Sequence, residues 1–490
     1  MRLVRQLLAE SMLLAIIGAG LGAGLAQLLS RVLVSFLKTN AGTVFLELGM
    51  DWRVLGFAAG LAVLTCVLFG LMPAVRASRF ELAGVMKAGG RGLTASRERF
   101  SLRRALVVLQ VALSLVLVSG AFLFTRSLNK LQATDTGFRQ EDILITRMSF
   151  ARLNIPPERR VGFRREVLER IKALPGVEAA TDADSVPLSG GGRSNDVWLD
   201  GSDGQQQVNS WFNRVGLDYF RTLGTPLLGG RDFDERDKPD APRVAIVNES
   251  FSCQLLNGES PVGRRFRVER TPVEPEILYE IVGLVRDTKF EDLRSDVYPI
   301  AYLAGSQDPA PGPGRQLLIR SRLPMPATIT AVKGVLTDMN PAINVSFQPF
   351  RNMIEDSILR ERLLAALSSF FGLLALLLAG IGLYGILSYG VASRTNEIGI
   401  RMALGAQRNS VLWLVLREAL LLAFIGVAVG LPVVFAVTRL VESLLYSLTP
   451  TDTFSLGVAT ISLIAVAFAA GYLPARRATR VDPMVALRDQ

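Results

Sequence analysis

Six long stretches of this chain carry no charge: residues 11–30, 54–75, 105–125, 363–393, 419–438 and 453–475. Each is about twenty residues or more, enough for a helix to cross roughly 30 Å of hydrocarbon. They predict an α-helical transmembrane bundle of six spans. Between the third and fourth, over residues 127–362, the pattern changes. Val161, Val167, Leu168 and Ile171 recur at helical spacing, with proline at the start and Pro175-Gly176 at the end, which predicts an amphipathic helix over 157–173. A second helix is expected over 327–339, closed by Asn340-Pro341. Residues 243–247, 277–285, 298–303 and 316–320 are short β-branched or aromatic runs bounded by turn residues, hence strands, while 189–192 and 309–313 read as loops. A segment of this size can bury its own core. The alternation predicts small α+β lobes, without fixing their strand order.

Half of the 490 residues are hydrophobic and the net charge is +10. Divided along the chain, that charge takes a simple form. Residues 127–362 hold 31 Lys and Arg against 33 Asp and Glu, whereas the rest holds 23 against 11. The excess concentrates in 1–10, 76–104, 394–417 and 476–490, which lie on one side of the membrane if the six spans alternate. A Lys/Arg bias toward one side marks the cytoplasmic face. Both termini are therefore expected in the cytoplasm and 127–362 outside, and the basic charge calls for no nucleic-acid partner. The chain contains no histidine, which excludes His-ligated metal sites and Ser-His-Asp or Cys-His catalysis. Its two cysteines, Cys66 in an apolar span and Cys253 in the external segment, make an implausible bridge. Arg2 and Arg5 ahead of an apolar run resemble a signal peptide. The run is too long for one, however, and it has a counterpart deep in the chain.

That counterpart belongs to a repeat. Glu10-Ser11-Met12-Leu13-Leu14-Ala15-Ile16-Ile17-Gly18, with Gly22, recurs 408 residues later as Glu418-Ala419-Leu420-Leu421-Leu422-Ala423-Phe424-Ile425-Gly426, with Gly430. Leu71-Met72-Pro73-Ala74-Val75-Arg76-Ala77-Ser78-Arg79 recurs 401 residues later as Tyr472-Leu473-Pro474-Ala475-Arg476-Arg477-Ala478-Thr479-Arg480. A duplicated membrane unit, a common build among transport proteins, accounts for both. The expectation is one complete unit, 103–490, preceded by the last two spans of another.

Gly380-Ile381-Gly382-Leu383-Tyr384-Gly385 matches the dinucleotide pattern G-x-G-x-x-G but lies in an apolar helix with no strand before it. The pairs Gly18/Gly22, Gly20/Gly24, Gly56/Gly60 and Gly426/Gly430 have the spacing that lets transmembrane helices approach closely. Helix packing is the expected role of all of these. No G-x-x-x-x-G-K-[ST] occurs, so no P-loop is expected to bind ATP here. The sharper motif is Asn396-Glu397-Ile398-Gly399-Ile400-Arg401-Met402-Ala403-Leu404-Gly405-Ala406, just past the fourth span. Glu397 and Arg401 stand four apart with the acid first, the favourable order for a helical pair. Ile398, Met402 and Ala403 can share a face with Ile400 and Leu404 beside it, and Gly405 suits a helix stop. Periodicity alone leaves open a coupling helix and a plain amphipathic connector at the interface.

This motif, followed by a span opening on R-E-x-L-L-L, resembles the signature of MacB-like and FtsX-like ABC transporter permeases. The external segment adds Arg243-Val244-Ala245-Ile246-Val247-Asn248-Glu249, Gly258-Glu259-Ser260-Pro261-Val262-Gly263 and Ile281-Val282-Gly283-Leu284-Val285-Arg286-Asp287, which resemble the MacB-type periplasmic core domain. The duplication is similar to that of the long duplicated orphan permeases of Acidobacteria. The resemblance implies a multi-pass inner-membrane protein. Residues 1–80 would be the last two spans of a first FtsX-like unit, 81–102 a basic cytoplasmic linker and 103–126 a span. Residues 127–362 would be the MacB-like periplasmic core, and 363–490 an FtsX-like domain with three spans and a coupling helix at 396–406. It further implies a non-catalytic subunit without a cofactor of its own, since a separate cytoplasmic ABC ATPase dimer binds the ATP. Motion would be relayed through the spans to the external domain for export. A second permease chain, or a periplasmic or outer-membrane protein, would be a further partner. Ionisable groups are nearly absent from the span interiors, as suits a relay rather than a solute path.

Two other functions compete. An FtsX-like regulatory protein would use the same relay to activate a periplasmic cell-wall enzyme without transport. An anchored external enzyme is weaker, because Asp232, Asp234 and Asp237 lie in a loop of mixed charge, most simply a solvated turn. Glu10 and Glu418, at equivalent repeat positions, are expected either to contact the coupling helix or to snorkel to the interface.

Overall fold

The computed structural model describes residues 2–36, a few positions between 53 and 63, and 92–479 apart from 203–206, 272–274, 405–406 and 449–451. The chain divides into two compact units, Met1–Lys130 with Arg360–Gln490, and Leu131–Leu359. The first is helical, with α1 (Arg2–Phe36) and α2 (Gly92–Gln132) ahead of the second unit. After it come α8 (Leu359–Ser393), α9 (Thr395–Ala403), α10 (Arg408–Leu440) and α11 (Thr453–Ala478). Among the described residues four helices are long and apolar enough to cross a membrane, Arg103–Gln132, Leu359–Ser393, Arg408–Leu440 and Thr453–Ala478, against the six expected. The expected span 11–30 falls in α1, whose apolar part, Ala15–Arg31, is shorter. The expected span 54–75 lies almost wholly outside the described residues.

Small residues decide how the four long helices meet. A methyl group on Gly426 would lie 2.6 Å from the Val111 side chain, and one on Gly430 would lie 3.0 Å from the Ala112 carbonyl oxygen. The G-x-x-x-G of α10 is therefore where the backbone of α2 crosses it. Gly471 of α11 meets Ala419 of α10 in the same way, at 3.0 Å. In the dinucleotide-like stretch of α8, a methyl on Gly382 would meet the Gln110 amide at 2.5 Å and one on Gly380 would meet Val466 at 3.1 Å. Both glycines accommodate neighbouring helices. Around these crossings Val107, Val111, Leu383, Leu422, Ala423 and Ala467 form one buried cluster, and Leu115, Val118, Val427, Val434 and Leu463 another. Ser114 spans the gap to α8, its hydroxyl donating to the Ala375 carbonyl at 3.1 Å.

The second unit is a two-lobed α+β domain. Strands β1 (Ile143–Ser149), β2 (Val177–Ala183), β10 (Gly314–Ser321) and β11 (Asn344–Pro349) pair in the order β11-β1-β10-β2, all antiparallel. Helices α3 (Pro157–Lys172) and α6 (Met325–Met339) pack on this sheet, burying Leu144, Met148, Val167, Ile171, Leu317, Ile319, Val332 and Leu336. In the second lobe β3 (Arg193–Leu199), β4 (Val208–Val215), β6 (Val244–Asn248), β7 (Arg265–Val268), β8 (Ile277–Val285) and β9 (Ile300–Ala304) pair in the cycle β4-β3-β7-β8-β6-β9. Parallel pairing of β9 with β4 closes the ring, which removes the open edges of a flat sheet. The short β5 (Leu227–Gly230) adds to β8 from outside. Helix α5 (Glu249–Leu256) begins at Asn248, whose buried side chain accepts from the Phe251 and Ile300 amides and donates to the Tyr298 carbonyl. Two further short helices, α4 (Tyr219–Leu223) and α7 (Phe350–Ser357), belong to the unit.

The expected helices 157–173 and 327–339 correspond to α3 and α6, and the four expected strands to β6, β8, β9 and β10. The other seven strands were not among those expected. The lobes join through one strand pair, Ala183 with Val215, beside a buried ionic cluster. Arg315 Nε donates to Asp182 at 2.8 Å and its guanidinium also pairs with Asp184. Arg164 lies 3.7 Å from Asp182, and burial, together with the nearby Arg315, pulls it below the ordinary guanidinium range. Next to this joint is a cleft of about 510 Å3 between α3 and the 231–239 loop. That loop is not simply a solvated turn, because Asp237 is only 4% exposed and takes a two-pronged ion pair from Arg231 at 2.7 and 2.8 Å. Asp234 does lie at the surface, and donors from Arg236 hold its carboxyl down at about 2.

Tyr219, Phe220 and Tyr302 form an aromatic cluster with ring centroids 5.0 to 5.8 Å apart. Burial raises the Tyr302 phenol to about 12 and that of Tyr219 well above its usual value. A folded-state value above the unfolded one makes the stabilisation complete below about pH 10 and lost as pH rises toward 12. Ultraviolet titration of phenolate, run beside near-ultraviolet circular dichroism on the whole chain, should show these two tyrosines ionising only with loss of tertiary structure. Ionisation of all tyrosines near pH 10 in a still-folded domain would contradict this.

Candidate coupling site

Helix α9 follows α8 after a single intervening residue, Arg394. The Thr395 hydroxyl donates back to the carbonyls of Val391 and Ala392, at 3.1 and 3.0 Å, and so ties the start of α9 to the last turn of α8. Ile398 is the anchor. It is 3% exposed and packs with Val411 of α10 and Ala478 of α11, beside Val391 and Met402. Gly399 is also buried. Arg401 donates to Glu397 at 2.5 Å, the pair that the four-residue spacing predicts. Ile400 and Leu404 do not join Ile398 in the bundle: Leu404 is 83% exposed and Ile400 is exposed beside it. Asn396 and Ala403 belong to the same helix, while Gly405 and Ala406 lie outside the described residues. The helix ends at Ala403 and is capped by the Leu404 amide donating to the Ile400 carbonyl. The result is a short helix anchored by Ile398 with Met402 beside it, and with Glu397, Ile400, Arg401 and Leu404 turned outward.

Glu418 lies beside this helix. Its carboxylate pairs with Arg104 of α2, and Arg394, at the turn into α9, stands 4.0 Å away. Arg103 stacks over the Tyr389 ring at 4.7 Å, and Arg477 donates to the Tyr384 hydroxyl at 3.0 Å. The basic residues around Glu418 were legible only as side-of-membrane charge. At the other end of α2, one guanidinium nitrogen of Arg126 reaches both Asp452 oxygens, 2.6 Å to each, and the group stacks over Phe454 at 4.8 Å. Asp452 also caps α11 by accepting from the Ser455 amide at 3.1 Å. The Tyr446 amide donates to the Ser127 hydroxyl and Lys130 donates to the Ser447 carbonyl, at 2.8 and 2.7 Å. From Arg104 to Arg126 a helix rises about 33 Å, close to the thickness of a hydrocarbon core. Polar ties therefore grip α2 at both ends of its apolar length.

Comparison with known proteins assigns both units. Residues 105–339 match the MacB-like periplasmic core domain, and residues 369–483 match the FtsX-like permease C-terminal domain. The chain is a MacB/FtsX-like ABC permease. It is a membrane protein with a periplasmic domain. A curated relative, the macrolide export ATP-binding/permease protein MacB of Chromobacterium violaceum, is 28% identical over 326 residues, covering 64% of this chain and 49% of its own. MacB 2 of Aeromonas hydrophila is 31% identical over 285 residues, covering 56% and 42%. This permease thus spans about half the length of the curated relatives it matches.

The anchor and the exposed face of α9 should respond differently to substitution. Ile398→Asp places an unpaired carboxylate in an apolar contact and should cost about 2 kcal/mol or more, read as a lower midpoint of thermal unfolding in micelles. Ile400→Asp, on the exposed side, should change stability by no more than about 0.5 kcal/mol. Equal effects of the two would contradict the orientation of this helix.

Proposed function

We propose that this permease is the membrane subunit of an ABC-type exporter, relaying ATP-driven motion from a separate cytoplasmic ATPase to its periplasmic domain. The observation that carries the reading is the geometry of α9, anchored through Ile398 and presenting Ile400 and Leu404 beside the Glu397–Arg401 pair. Exposed apolar side chains rimmed by charge, on a helix too short to span the membrane, are what docking onto another protein requires. A rigid body pushed at α9 would move α8, α10 and α11 with it, because Ile398 packs with residues of all three. Helices α2 and α8 lead by chain continuity into and out of the periplasmic domain.

On this reading the ten residues Glu397 to Ala406 form the coupling element. Two further spans over 11–30 and 54–75 make six, both termini lie in the cytoplasm, and residues 127–362 lie outside. ATP is bound by the partner, so the permease needs no cofactor. The charge-free interiors of the spans support a relay rather than a conduit. The names of the curated relatives join ATP binding and permease in one protein, which supports an ATPase as the partner.

The test is capture of an ATPase. Tagged permease in detergent should retain the ATP-binding portion of the Chromobacterium relative, and Arg401→Glu or Leu404→Asp should weaken retention by about tenfold or more. Retention unaffected by either variant would overturn the assignment of α9, and no retention by the unaltered permease would overturn the function.

A further inference from the structure

Helices α2 and α10 run side by side in the same direction, as a ladder of contacts in parallel register shows. Arg104 meets Glu418, Val111 lies against Gly426, and Ala112 against Gly430. The acid and the two glycines thus act together on one partner helix. The same spacing, an acid eight residues before a glycine and twelve before another, occurs in the first repeat as Glu10, Gly18 and Gly22.

Glu418 does more than hold α2. Its second carboxylate oxygen faces Arg394, the residue from which α9 departs. With its side chain only 24% exposed, the carboxylate is shared between the helix that leads to the periplasmic domain and the turn that carries the exposed coupling face. A partly desolvated charge held between two arginines resists separation from either, since pulling one away leaves the carboxylate unbalanced near the interface. We infer that Glu418 is the positioning residue of the relay, linking displacement of α9 to displacement of α2. This rests on the proposed function for its purpose, but the link itself can be measured without an ATPase.

The measurement is hydrogen–deuterium exchange on the whole permease in lipid nanodiscs. Glu418→Gln should speed exchange about fivefold in both 103–112 and 395–403, the effect of losing a part-exposed ion pair, and leave the periplasmic domain unchanged. The double variant Arg104→Glu with Glu418→Arg should restore 103–112 but not 395–403, because the new arginine then faces Arg394. Adding Arg394→Glu should restore both segments. If Glu418→Gln loosens α2 alone, or neither segment, the inference is overturned. Should that variant fold poorly, Arg104→Gln and Arg394→Gln test the two halves of the link: the first must loosen 103–112 and the second 395–403, and failure of either overturns the inference. Retention of the ATP-binding portion by Glu418→Gln, scored separately, distinguishes loss of this link from failure of the proposed function.

Discussion

The arrangement of the membrane unit depends on the close approach of α2 to α10 at Gly426 and Gly430. Neither position has room for a side chain, so the two backbones meet and the flanking apolar residues close over the contact. In lipid no hydrophobic force drives helices together, and this kind of fit supplies the attraction instead. The ties at Arg104–Glu418 and Arg126–Asp452 then fix how far along each other the helices lie. Small residues bring the helices together and charged residues set their register.

From that register follows the place of α9. Helix α10 begins at Arg408, ten residues before Glu418, and so projects about 15 Å before its paired, apolar part starts. Val411 in this projection receives Ile398. The short helix is therefore seated on an extension of the same helix that grips α2. In the periplasmic unit the corresponding constraint is closure of the six-stranded ring through β4 and β9, and the ring meets the other lobe at one strand pair, a buried ionic cluster and the short helix α4.

Much of this was legible in the sequence, for identifiable reasons. Charge-free stretches marked α8, α10 and α11 because a membrane span tolerates little else. The Glu397–Arg401 spacing marked a helical pair because helix geometry is local. Of the missed strands, β7 (Arg265-Phe266-Arg267-Val268) and β11 (Asn344-Val345-Ser346-Phe347) do alternate but are short, and others lack even that sign. In β1, Ile143, Leu144 and Ile145 are all buried, so the alternation that identifies a half-exposed strand is absent. Strand β2 has alanine at three of its seven positions, and β3 opens with four polar residues. The Arg104–Glu418 pair joins residues 314 apart in the chain, a separation no local pattern reaches. Which way Ile400 and Leu404 point was hidden as well, since that is decided by Ile398 packing against Val411 and Ala478 on two other helices, with Met402 beside it.

The central claim is that ATP binding by a partner changes the periplasmic domain through these helices. Pulsed electron-spin distance measurement tests it most directly, with labels at the exposed positions Thr330 and Glu442 and with the permease bound to an ATP-binding partner in nanodiscs. The account predicts that trapping the ATP-bound state shifts the distance distribution between the labels. An unchanged distribution while the same complex hydrolyses ATP would contradict it.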